Sequence, residues 1–60
     1  MRFIVKFDHE LGQAKSYRMT APEALKLATE WGRAGEKGVL VENPDTGEVW
    51  TAEAFRVMAG

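Results

Sequence analysis

The segment TAPEALKLATEWGRAG, residues 20–35, constrains this chain most, because it is the strongest helix signal in it. Thr20 and Glu23 have the spacing of a capping box, which satisfies two of the amides that a helix start leaves unpaired. Pro22 falls in the first turn, where a missing N–H costs nothing. Ala24, Leu25, Leu27, Ala28, Trp31 and Gly32 fill one face of the helical wheel, opposite Glu23, Lys26, Thr29, Glu30 and Arg33. Ala24, Ala28 and Gly32, spaced by four, give that face a small centre, which predicts close seating on a sheet. Leu25, Leu27 and Trp31 would wrap its flanks. Gly32 and Gly35 offer places to end the helix in left-handed geometry.

A helix apolar on one side needs a surface to cover, and the flanking segments supply strands. In RFIVKFD, Phe3, Val5 and Phe7 alternate with Arg2, Ile4, Lys6 and Asp8, the period of a half-buried strand. Gly12 in the following ELGQ suits a turn, since it takes positive φ without a Cβ penalty. AKSYRM then returns as a second strand, predicted to set Tyr17 and Met19 toward the core and Ser16 and Arg18 outside. Beyond the helix, KGVLVEN and GEVWT bracket Pro44-Asp45-Thr46-Gly47, which has the chemistry of a four-residue hairpin loop. That loop predicts Asn43 opposite Glu48, Val41 opposite Trp50, and Val39 opposite Ala52. Trp50 then joins Val39 and Val41 on the core face, with Leu40, Glu42, Val49 and Thr51 on the other. In the tail TAEAFRVMAG, Thr51 can cap a helical turn with Phe55, Met58 and Ala59 inward. A continued strand would instead align Phe55 with Val57.

The expected fold is α+β: an antiparallel sheet of about four strands in ββαββ order, read as one domain over residues 1–60. One amphipathic helix packs on one face, with a short C-terminal helical turn as an option. The predicted core is Phe3, Val5, Phe7, Tyr17, Met19, Ala24, Leu25, Leu27, Ala28, Trp31, Val39, Val41, Trp50 and Phe55. A single helix covers only one face of such a sheet, so the second must meet water, a partner or another copy.

Composition narrows the function classes. A chain of 60 residues without cysteine can use neither disulfides nor thiolate metal sites. It buries only about 60% of the surface its unfolded form exposes, so self-association is an expected source of stability. The formal net charge of −1 gives no global attraction to nucleic acid or anionic lipid. MRFIVKF is interrupted by Lys6 and followed by Asp8, unlike a secretory signal, and no apolar run reaches membrane-spanning length. A soluble, cytoplasmic protein is expected, which the lack of cysteine fits.

Catalytic chemistry finds little to work with. His9 and Ser16 are the single histidine and the single serine, on adjacent predicted strands. A sheet of this size offers little concavity for a substrate pocket, and no enzyme activity, cofactor or small-molecule substrate is expected. Asp8-His9-Glu10 is the one metal-like cluster, but on extended backbone His9 points away from both carboxylates, so no metal site is expected. The first hairpin offers Arg2, Lys6 and Arg18, with Lys15 nearby, as a basic face for single-stranded nucleic acid. Against this, the aromatics Phe3, Phe7 and Tyr17 are predicted on the opposite side from those cations. The favoured expectation is a non-catalytic binding or regulatory protein, acting on a protein partner or on itself as a homodimer. Its predicted contacts are Ile4, Leu40 and Val49, a modest apolar patch on the open face or edge of the sheet. Arg2, Lys6 and Arg18 would set its charge complementarity.

Overall fold

The computed structural model describes residues 2–59. Strands β1 (Phe3–His9) and β2 (Gly12–Arg18) form the first hairpin, followed by helix α1 (Ala21–Arg33). Strands β3 (Leu40–Asn43) and β4 (Glu48–Thr51) form the second, and helix α2 (Ala52–Ala59) ends the described chain. The four strands make one sheet in the order β2-β1-β3-β4. Every neighbouring pair is antiparallel, so β1 and β3 are central and β2 and β4 are edges. This is the expected α+β fold, with the C-terminal turn extended to a helix of eight residues.

The local signals act as their chemistry requires. At the start of α1 the Glu23 N–H donates to Thr20 Oγ1 at 3.3 Å, and the Thr20 hydroxyl donates to Glu23 Oε1 at 2.8 Å. At its end, Glu36 N–H reaches the Trp31 carbonyl and Gly35 N–H the Gly32 carbonyl, both at 3.1 Å. That pair of bonds is a Schellman motif, and Gly35 supplies its left-handed residue at φ +92°. The Ala54 N–H donates to Thr51 Oγ1 at 3.1 Å, so Thr51 caps α2 as its side chain predicts.

NPDTGEVW is a hairpin. Gly47 N–H donates to the Asn43 carbonyl at 2.8 Å, and Gly47 takes φ +81°. Asn43 is buried and its Oδ1 accepts from the Asp45 N–H at 3.0 Å, so the side chain builds the turn from below. Val41 pairs with Trp50 and Asn43 with Glu48, in the expected register.

Both helices lie on the same side of the sheet, α1 across β1 and β2 and α2 over β4, with their flanks in contact. Between helices and sheet sit Phe3, Val5, Ala24, Leu27, Ala28, Val39, Val41 and Phe55, all buried. Phe3, Trp50 and Phe55 form an aromatic cluster with ring centroids 5.4–6.4 Å apart. Phe7 meets Trp31 edge-on at 4.9 Å. Trp50 therefore faces the core.

Three expectations are corrected. Tyr17 and Met19 are 58% and 67% exposed, and neither belongs to the core. The turn between β1 and β2 holds only Glu10 and Leu11, which pairs Ile4 with Tyr17, Val5 with Ser16 and Phe3 with Arg18. Pairing odd residues with even ones turns Ser16 and Arg18 to the helix side and Tyr17 to the open side. Gly32 is exposed, with open space where a Cβ would stand, so the close seating of α1 rests on Ala24 and Ala28. Of the tail's predicted inward residues, Met58 is 52% exposed. The eight-residue helix directs Phe55 to the sheet and leaves Met58 on a flank.

Candidate interaction surface

Both helices pack on one side of the sheet, so among the described residues no helix covers its other face. Its side chains follow from strand register. One row runs Tyr17, Ile4, Glu42, Val49 across β2, β1, β3 and β4, and the next runs Lys15, Lys6, Leu40, Thr51. Arg2 and Asp8 extend the face along β1. Ile4 and Leu40 are half-buried, while Tyr17 and Val49 are 58% and 49% exposed. Each strand thus contributes one apolar side chain, Tyr17, Ile4 and Val49 in the first row and Leu40 in the second, with Glu42 between Ile4 and Val49.

The charges are not equivalent. Lys6 Nζ lies 2.7 Å from Glu42 Oε1, a diagonal pair between β1 and β3 at the centre of the face. Both side chains remain partly exposed, so the pair contributes less than about 1 kcal/mol to the fold. Its effect is to neutralise the middle of the patch. Asp8 accepts from the Gln13 amide at 3.1 Å, across the β1–β2 pair. The Arg2 guanidinium sits 5.6 Å from the centre of the Tyr17 ring, within cation–π range. Among the described residues Arg2 and Lys15 have no carboxylate partner. The face therefore presents one apolar side chain from each strand, a neutralised centre and a basic border on the β2 side.

Five of the six sequence-predicted contact residues share this face: Ile4, Leu40, Val49, Arg2 and Lys6. Arg18 stands on the opposite side. Its Nη1 donates to Ser16 Oγ at 2.8 Å and to the Tyr17 carbonyl at 2.7 Å, beside a groove lined by Glu23, Lys26, Leu27 and Glu30. Tyr17 and Lys15 complete the face. The two-residue length of the Glu10–Leu11 turn is the signal that would have placed Tyr17 there.

The residues weighed for catalysis lie apart. His9 pairs with Gly12 at the hairpin tip, and its Nδ1 accepts from the Leu11 N–H at 3.2 Å. Ser16 is opposite Val5, four residues along, roughly 13 Å away at the rise of a strand. Among the described residues no three His, Asp or Glu side chains converge as metal ligands. Among the described residues no helix is long and apolar enough to cross a membrane. Against protein-family models, curated proteins and solved structures alike, the chain finds no match.

Proposed function

We propose that this chain is a small, non-catalytic cytoplasmic binding protein that acts through protein–protein contacts on its sheet and self-associates. The observation that carries the reading is the set of apolar side chains Tyr17, Ile4, Leu40 and Val49, one from each strand, on the open face. These side chains stand on a rigid four-stranded platform instead of being spent in the core. Aromatic and aliphatic residues inside a polar border are the anatomy of an interface. Arg2 and Lys15, which have no carboxylate partner among the described residues, specify a partner whose own rim is acidic on the side that meets β2. Ile4→Lys tests this. The side chain is half-exposed and neighbours Glu42, so the fold tolerates the charge, while the centre of the interface does not. The variant should keep its far-ultraviolet circular dichroism and lose its partner.

A second reading has one specific observation in its favour. Tyr17 lies on the same face as Arg2, Lys6 and Lys15, so the first hairpin combines a ring for base stacking with cations for phosphates. Fluorescence anisotropy with a labelled single-stranded oligonucleotide tests it. Binding that falls steeply with salt and is lost in Tyr17→Ala would support this reading, and no binding at low salt would end it.

A further inference from the structure

We infer that the self-association in that reading runs through the edge of β4 and the adjoining flank of α2, with a second copy of this chain as the occupant. A sheet has two edges, and here they differ in charge.

The long edge, β2, is guarded. An antiparallel pairing of all seven residues of β2 with a second copy places Lys15 opposite its own counterpart at the two-fold axis. Lys6, next to Lys15 in each chain, is held by Glu42, so the two Lys15 ammonium groups would meet at that axis without compensation. Lysine on an edge strand is a common barrier to strand addition.

β4 carries no such barrier. The Ala52 N–H donates to the Val39 carbonyl at 3.2 Å, which makes these two residues a hydrogen-bonded pair. Antiparallel ladders alternate bonded and non-bonded pairs, so Trp50 and Glu48 bond inward to β3, while Val49 and Thr51 do not. The N–H and C=O of Val49 and the N–H of Thr51 therefore point to the free edge. A two-fold axis perpendicular to the sheet keeps the helix faces of both copies together. It then sets either Val49 opposite Val49 or Trp50 opposite Trp50. Neither register opposes like charges at the axis.

The helix above this edge is apolar on the same side. Ala52 and Arg56 of α2 line the groove toward α1, and Phe55 points down into the core. The flank facing away from α1, over β4, is then Ala54 and Met58, one turn apart, with Val57 next to them. Val57 and Met58 are 82% and 52% exposed, while the Val49 side chain beneath them turns to the open face and gives this edge its free backbone groups. Strand pairing would bring the two flanks toward each other and cover them.

Size sets the strength. An interface of ordinary size removes about 800 Å² from each partner, about a fifth of this molecule's 4134 Å². A four-residue edge and one flank of a short helix provide less, so a weak, reversible dimer is expected.

Sedimentation velocity across protein concentration tests the inference, with three variants. Val49→Pro removes an N–H that the intrachain ladder does not use, so it blocks pairing at the edge while β3 keeps its partner. Met58→Lys charges the helix flank without touching the strand, and remains informative should Val49→Pro fail to fold. Ile4→Lys alters only the open face. The wild type should pass from 6.7 kDa toward twice that mass with rising concentration. Met58→Lys and folded Val49→Pro should need at least tenfold more protein to do so, and Ile4→Lys should behave as wild type. A wild type that stays monomeric to millimolar concentration overturns the inference. So does a dimer that survives both edge variants, or one that Ile4→Lys abolishes. Loss of the partner in Ile4→Lys is a separate readout, so either part can fail without the other.

Discussion

Replacing Phe55 with alanine asks whether α2 is an integral part of the core or an appendage on it. Phe55 is the one buried residue of α2, wholly inaccessible, with its ring 5.5 Å from Phe3 and 5.4 Å from Trp50. A buried Phe→Ala change costs about 3–5 kcal/mol, the sum of lost transfer energy and the cavity left behind. A chain of 60 residues has a total stability of about 3–9 kcal/mol at the usual margin per residue. The substitution should therefore remove about a third of the stability at least, and up to all of it, with α2 released from the sheet. Urea unfolding followed by tryptophan fluorescence measures this directly, because the Trp50 ring lies tilted against the deleted ring. With a slope of about 1 kcal/mol per molar urea, the midpoint should fall by about 3 M or the transition should vanish. Val57→Ala, on the exposed flank of the same helix, should leave the midpoint within about 0.5 kcal/mol of wild type in a monomeric sample. A Phe55→Ala cost below about 1 kcal/mol would refute the packing described here.

Two further substitutions separate backbone effects from packing. Gly32→Ala should stabilise the protein by about 0.5–1 kcal/mol, because a methyl there meets open space and alanine restrains the helix better than glycine. If Gly32 were needed for close seating on the sheet, the same change would destabilise, and a thermal or urea midpoint decides the sign. Gly47→Val should cost about 1–2 kcal/mol, since φ +81° is disfavoured for a residue with a Cβ although space is available. The loss should appear as lower stability and a disturbed hairpin in amide spectra, with binding kept in whatever fraction remains folded.

Most of the fold was legible because each element carries its own local signal. The Thr20 cap, the apolar stripe of α1, and the Asn43–Gly47 turn each specify their structure within a few residues, and the turn fixed the direction of Trp50 through register. β2 misled for an equally physical reason. Tyr17 and Met19 are the apolar members of an alternating pattern, and alternation alone sends them inward. Register is imposed by the turn, however, and a two-residue Glu10–Leu11 connection shifts the parity by one. The edge position of β2 lets its helix-side residues be Ala14, Ser16 and Arg18, since α1 buries little there. The open face was foreseen as a set of residues, and its basic border was placed one strand position off. The strand order was not legible, because the pairing of β1 with β3 spans the whole of α1 and leaves no local mark.

The claim that matters most is that the uncovered sheet face, not the helix side, meets the partner. Affinity capture from extract of the native cell, with wild type and Ile4→Lys immobilised side by side, tests it most directly. Both baits should be folded by circular dichroism. We expect a protein enriched on the wild type to be depleted at least tenfold on Ile4→Lys. The same proteins recovered equally on both baits would contradict it.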